Sequence, residues 1–205
     1  MPEQQTHARP TGFAIWLVIA GVIGWWAAFS LTIEKLHALA NPNAIASCDL
    51  SVLVQCTKNL DSWQGSLFGF PNPIVGLAGW VAPIVVGMAI LAGARFAPWF
   101  WWCFWAGIAF AFGLVLWLIS QSIYDLHTLC PWCMVTWSVT IPTFYAVTLH
   151  LLRAGMVPVP ERVRHAADRL MAWVPLATIV SFAIILLLAQ LEMDAVVNIW
   201  QTLFG

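Results

Sequence analysis

The chain carries five cysteines, and four of them form two pairs with the spacing of redox couples: Cys48 and Cys56, then Cys130-Pro131-Trp132-Cys133. A dithiol that closes to a disulfide gives up an electron pair, and each exchange runs by thiolate attack through a mixed disulfide. Two such couples, set among apolar stretches, predict electron transfer between thiols at a membrane surface and an acceptor dissolved in the lipid. The pairs differ in geometry. A straight helix from Cys48 to Cys56 would separate their Cα atoms by about 12 Å, whereas a disulfide needs roughly 4.4 to 6.8 Å. The chain between them must fold back to join them, or each must find another partner. Cys-x-x-Cys at a helix start places its sulfurs about one turn apart, so that pair can close on itself. Cys130 is expected near the N-cap with Pro131 at the first helical position, where free N–H groups and the helix dipole favour a thiolate. Cys133 then lies about 4.5 Å deeper along the axis. Cys130 is thus reachable by a thiol from an aqueous loop, and Cys133 can face an apolar acceptor inside a bundle.

The elements that must hold these cysteines are membrane helices. With 61% hydrophobic and 8% charged residues in 205, the chain cannot cover itself with a water-soluble surface. Five apolar runs approach the roughly 20 residues a helical crossing needs: about 12 to 33, 73 to 94, 98 to 123, 130 to 152 and 172 to 191. None alternates with the two-residue period of a barrel strand, so the expected fold is an all-α integral membrane protein. Pro83 and Pro142 fall inside the second and fourth runs, where each removes a helical hydrogen bond and can bend the axis. The first run is too long for the core of a cleaved signal peptide and is read as retained.

Basic residues set the orientation. Arg9, Arg95, Arg153, Arg162, Arg164 and Arg169 mark one side as cytoplasmic; Lys35 and Lys58 stand on the other. Both cysteine pairs then face outward, where disulfides persist. The resulting division is a cytoplasmic segment 1–11, a bundle 12–152 with an outer loop 35–72, a basic connection 153–171 that meets anionic headgroups, and a fifth crossing with a short outer tail over 172–205. Within the loop, residues 62–70 mix aromatic and small residues and read as a short amphipathic or half-inserted helix over the bundle mouth. Nucleic-acid binding has no support in the charge pattern.

The order of these features resembles the vitamin K epoxide reductase family, in particular its bacterial homologues that reoxidise thiol oxidases outside the plasma membrane. The matching pieces are Cys48-Asp49 with Cys56, Ser62 six residues later, the segment from Phe70 to Gly76 containing Asn72, and Cys130-Pro131-Trp132-Cys133. The disulfide-bond formation protein B family places its Cys-x-x-Cys in the first outer loop, the reverse of the order here. The resemblance implies a four-helix transmembrane bundle around a quinone, whether menaquinone, ubiquinone or phylloquinone, with the fifth helix at its edge. It implies that a thioredoxin-like thiol oxidase attacks the loop disulfide at Cys48, that Cys56 exchanges with Cys130, and that Cys133 passes electrons to the quinone. Asn72 would hydrogen-bond a quinone carbonyl and Ser62 would hold the loop against the pocket. Trp137 stands one turn past Cys133, where vertebrate members carry a tyrosine; an indole N–H donates but cannot accept, which counts against epoxide chemistry. Bacterial members with a fused thioredoxin-like domain continue beyond the fifth helix, so a separate partner is expected here.

Other readings compete. The cysteines could form two structural disulfides in a non-catalytic membrane subunit, or the protein could be a vertebrate-type quinone or epoxide reductase. A zinc site fits one close and one wide pair poorly, so no metal is expected. A transporter would carry ionisable residues at mid-membrane, and these runs hold almost none. Cys103, in the third run, reads as a small buried hydrophobe. His127, Asp125, Gln121 and Ser122 read as ordinary polar residues at the outer rim. Of the tryptophans, Trp80, Trp132 and Trp137 are the ones expected near the pocket.

Overall fold

The computed structural model describes residues 10–41, 46–194 and 200. Arg9 and the rest of residues 1–9, part of the outer loop (42–45) and most of the outer tail (195–199 and 201–205) lie outside the described residues. The helices are α1 (Thr11–Ala40), α2 (Thr57–Asp61), α3 (Asn72–Gly79), α4 (Val81–Leu91), α5 (Pro98–Tyr124), α6 (Pro131–Arg153), α7 (Glu161–Met171) and α8 (Val174–Met193). The protein is an all-α multi-pass membrane protein: α1, α3 with α4, α5, α6 and α8 are each long and apolar enough to cross a bilayer. Among the described residues the β pairing is a single isolated bridge, between Val54 and Leu129.

The first crossing does not stop at Glu34 and Lys35. Its helix continues to Ala40, and both charges find polar partners: Lys35 Nζ reaches Leu60 O and Asp61 Oδ1, each at 2.9 Å, and Glu34 accepts from Ser47. The second crossing divides at Trp80, three residues before Pro83. The proline ring crowds the carbonyl of Gly79 and supplies no N–H to it, so the break falls where the expected bend would begin. Pro142, by contrast, lies within an uninterrupted α6. The expected helix over 62–70 is replaced by one 3-10 turn at Trp63–Ser66 followed by bends. Gly69 there adopts a φ of 80°, a left-handed conformation open to glycine that ends helical winding. The basic connection contains α7, unforeseen in the sequence reading, which starts after Pro160 with Glu161 in its first turn and Arg169 in its last, matching the helix dipole.

Helix α1 packs most extensively against α4 and α6. Its buried face is mostly small residues, Ala14, Ala20, Gly21, Gly24, Ala27 and Ala28, with Phe13, Leu17 and Leu31, a composition that lets helix backbones approach in lipid. A Cβ on Gly24 would overlap the Trp80 ring, and one on Gly21 would overlap Ile84. Two indoles pin neighbours to α6 by hydrogen bonds: Trp16 Nε1 to Thr143 at 3.2 Å and Trp105 Nε1 to Thr148 at 3.0 Å. Helix α8 lies at the edge, touching α5 and α6 with Ala189 as its one buried residue and a 2.8 Å Tyr145–Ser181 hydroxyl contact.

Candidate thiol relay and cavity

Cys48 and Cys56 are joined as a disulfide with Cα atoms 5.7 Å apart, so the loop does fold back on itself. The turn is stabilised by Asp49. Its carboxylate accepts from the backbone N–H of Cys56 at 2.6 Å and of Thr57 at 3.1 Å, and from the Thr57 hydroxyl at 2.6 Å. These bonds cap the start of α2 and hold Cys56 in place. The sulfurs of Cys48 and Cys56 and the Asp49 carboxylate lie within 4.8 Å of one another. With the two sulfurs bonded to each other and the carboxylate bound to N–H groups, the trio is a braced turn in this state.

The loop is then docked onto the start of α6. Leu129 N donates to Leu53 O at 2.8 Å and Gln55 N donates to Leu129 O at 3.1 Å, forming the isolated bridge. Lys58 Nζ reaches Leu126 O at 2.6 Å, and Asn59 joins Thr128 Oγ1 at 2.9 Å and Ser122 Oγ at 3.1 Å. Cys56 follows the bridge by two residues and Cys130 by one. Their Sγ atoms consequently lie 3.4 Å apart, both fully buried. Cys130 is the N-cap of α6, as its sequence position requires, and its sulfur accepts from the backbone N–H of Cys133 at 3.4 Å. Hydrogen bonding from the Cys133 side chain, with help from the N–H groups of Cys133 and Trp132, holds the Cys130 thiol below its ordinary range against the opposing effect of burial. Cys130 is therefore screened from solvent thiols and approached by Cys56.

Cys133 faces a different neighbour. It lines a cavity of about 450 Å³ between α1, α3–α4, α5 and α6 whose walls are mostly apolar. Ser62, Asn72, Trp80 and Trp137 line the same cavity, while Trp132 packs instead around the cysteine cluster. Ser62 caps the 3-10 turn, accepting from Gly65 N at 3.2 Å and donating to Asn59 O at 2.7 Å. Asn72 binds the loop with both ends of its amide: Nδ2 donates to Gln64 O at 2.6 Å and Oδ1 accepts from Leu67 N at 3.0 Å. Its second amide N–H makes no hydrogen bond to the described residues. Trp137 is buried to 3% exposure.

Cys103 corrects the sequence reading: it is exposed, on the cavity-facing side of α5 near Gly107 and Ala111. Hydropathy marks a thiol as apolar but does not distinguish a protein-facing position from one facing an open space. Gln64 was missed altogether. It is almost completely buried and lines the cavity, yet a glutamine between tryptophan and glycine carries no motif. Asp49 had a readable signal, an acid directly after Cys48 with Thr57 directly after Cys56, as in side-chain capping of a short helix.

The cavity walls are mostly apolar, and Ser62, Gln64 and Asn72 are among the polar residues that line them. No curated protein gives a significant match to the chain. The family model described as the vitamin K epoxide reductase family matches residues 15–148, more than half of the 205 residues and the whole stretch containing both cysteine pairs. The chain belongs to the vitamin K epoxide reductase family, whose members are membrane oxidoreductases acting through thiols and disulfides.

Proposed function

We propose that this protein oxidises a thioredoxin-like thiol oxidase on the outer side of a bacterial plasma membrane and delivers the electrons to a membrane quinone. The observation that carries the reading is the continuous line of sulfur: a loop disulfide, a 3.4 Å approach from Cys56 to Cys130, and Cys133 on the cavity. In this arrangement the loop pair is oxidised while Cys130 and Cys133 are thiols, which corresponds to the stage at which electrons have already moved inward.

The cycle balances. The partner's thiolate attacks Cys48, and the partner's second thiol resolves the mixed disulfide, leaving the partner oxidised and Cys48 and Cys56 reduced. The Cys56 thiolate then attacks Cys130 of a Cys130–Cys133 disulfide, expelling the Cys133 thiolate. Cys48 attacks Cys56, restores the loop disulfide and leaves Cys130 and Cys133 as a dithiol. That dithiol closes again by giving two electrons and two protons to the acceptor. A quinone bound in the cavity supplies an acceptor of that electron pair and its protons. Asn72 would hold a ring carbonyl through its free N–H, Ser62 would keep the loop over the pocket, and Trp137 would pack on the ring. The low Cys130 pKa favours its thiolate as the leaving group. Residues 1–11 and 153–171 would lie in the cytoplasm, and the loop 35–72 outside.

The test is turnover by the purified protein given a reduced thioredoxin-like partner and a quinone. Oxidation of the partner should require both, and Cys133→Ala should stop quinone reduction while the loop disulfide still forms. Unchanged quinone reduction in that variant would contradict the mechanism.

A further inference from the structure

Between Cys48 and Cys56 the chain makes a tight turn whose apolar side chains divide into two sets. Leu53 and Val54 are buried, in a cluster with Ile123, Leu129 and Trp137. Leu50 and Val52 are 60% and 90% exposed, and Val52 is the most exposed large hydrophobic side chain among the described residues. The turn that presents them is preformed. Leu50 N and Ser51 N both donate to Val54 O, at 2.8 and 3.0 Å, Val54 N donates to Ser51 Oγ at 3.0 Å, and Gln55 Nε2 donates to Val52 O at 2.6 Å. The exposed pair is thus held in one shape by the loop's own hydrogen bonds while contributing little to the core.

Access to the disulfide decides what must touch this tip. Cys56 is fully buried and Cys48 is 6% exposed, so a thiol on another protein reaches Cys48 only if the surface around that thiol settles over the loop. Val52 is four residues from either cysteine, and the reach of the chain puts its Cα within about 14 Å of both. A stable protein footprint of about 800 Å² is a disc of about 16 Å radius. Centred on Cys48, that disc takes in both Leu50 and Val52. A tip sunk in lipid would instead carry the adjoining disulfide against the bilayer, away from a soluble thiol. From Leu50 to Thr57 the chain carries no charge, so recognition here runs through apolar contact. We propose that Leu50 and Val52 form the docking tip for the thioredoxin-like partner, which presents an apolar, uncharged rim around its reactive cysteine. The inference rests on the partner reading above and adds what that partner's surface must be. Docking sets the partner's thiolate on Cys48 Sγ; the mixed disulfide forms as the Cys48–Cys56 bond breaks, and Cys56 leaves as the thiolate. Because the tip is preformed, little ordering cost opposes docking.

The test uses the full chain in lipid nanodiscs with a quinone and compares two reductants: a purified, reduced, soluble thioredoxin-like thiol oxidase, and dithiothreitol, which is too small to need the tip. Val52→Asp sets a charge against the partner's apolar rim and should lower the ratio of the two oxidation rates, protein over dithiothreitol, by about tenfold, the worth of one apolar side chain's contact. Val52→Thr, similar in shape, should lower it less. Added salt should leave the wild-type ratio unchanged, since no charge pair forms in docking. If Val52→Asp fails to keep the Cys48–Cys56 disulfide, read by mass spectrometry, the fall in the ratio for Val52→Thr decides. A ratio unchanged in the variants, or one that changes steeply with salt in the wild type, overturns the docking tip and leaves the sulfur relay standing. A loss seen in nanodiscs and absent in detergent assigns the tip to the lipid surface and overturns it too. Failure of the wild type to oxidise the thioredoxin-like protein, with or without dithiothreitol turnover, overturns the partner reading itself.

Discussion

At its cysteine-bearing mouth the bundle is joined by directional hydrogen bonds, several between segments far apart in sequence, whereas its opposite end is held mainly by aromatic packing. The set at the mouth comprises the Val54–Leu129 bridge, the Lys58–Leu126 and Asn59–Thr128 bonds and the Asp49 brace. At the opposite end Phe13 stacks on His150 with ring centroids 4.3 Å apart, and Trp101, Phe104, Leu17 and Val147 fill the space around them. The contrast follows from the task. Sulfur exchange requires two atoms at contact distance with a defined approach, which hydrogen bonds can specify. Holding helices together requires only area and fit.

Changes that break the geometry of the mouth should therefore remove function, and changes in the packed helices should remove stability. The largest effect is expected from Cys56→Ala, which deletes both the loop disulfide and the bridge to Cys130; partner oxidation should disappear while the thermal unfolding of the helical bundle stays cooperative. Gly24→Leu forces a side chain into the Trp80 ring and should destabilise the packed α1–α4 pair by about 3 kcal/mol, at the upper end of overpacking effects, read as a lower denaturation midpoint in detergent. Asp49→Ala leaves Cys56 N, Thr57 N and the Thr57 hydroxyl without their acceptor. It should loosen the loop by about 1.5 to 3 kcal/mol, seen as faster proteolysis between the two loop cysteines with an unchanged bundle midpoint.

A smaller effect sharpens the mouth side further. The Cys130 pKa lies below the ordinary thiol value of about 8.5, so its thiolate survives to lower pH and is lost as pH falls through the lowered value. Cys133→Ala removes the largest cause of the lowering, so the titration of Cys130 should move to higher pH, followed by thiolate ultraviolet absorbance. The smallest change is expected at the edge: Leu187 is 57% exposed on α8, and Leu187→Ala should alter stability within about 0.5 kcal/mol. A large loss there would mean that α8 is a structural part of the bundle rather than its border.

Helix content and the cysteine positions were legible in the sequence for different reasons. Apolar length alone marks the five crossings, and Cys-Pro-x-Cys marks a helix start because proline is favoured at the first helical position. Boundaries were less legible: Glu34 and Lys35 look like a stop, but α1 continues past them, with distant Leu60, Asp61 and Ser47 as their partners. The loop defeated local reading most. Its helix at 57–61 and its 3-10 turn depend on side chains five to eight residues away, Asp49 and Asn72, and on docking to distant Leu129, none of which follows from adjacent residues. The cavity was invisible from composition, since Cys103 and Gln64 have the same local context whether they face protein, lipid or open space.

The central claim is that Cys56 is the atom that carries electrons from the loop to Cys130. The direct measurement is disulfide mapping by mass spectrometry in a Cys48→Ala and Cys133→Ala double variant, which leaves Cys56 and Cys130 without their usual partners. Under mild oxidation the account predicts an intramolecular Cys56–Cys130 crosslink in nearly every molecule. Persistence of both as free thiols, or their capture in links between molecules, would contradict it.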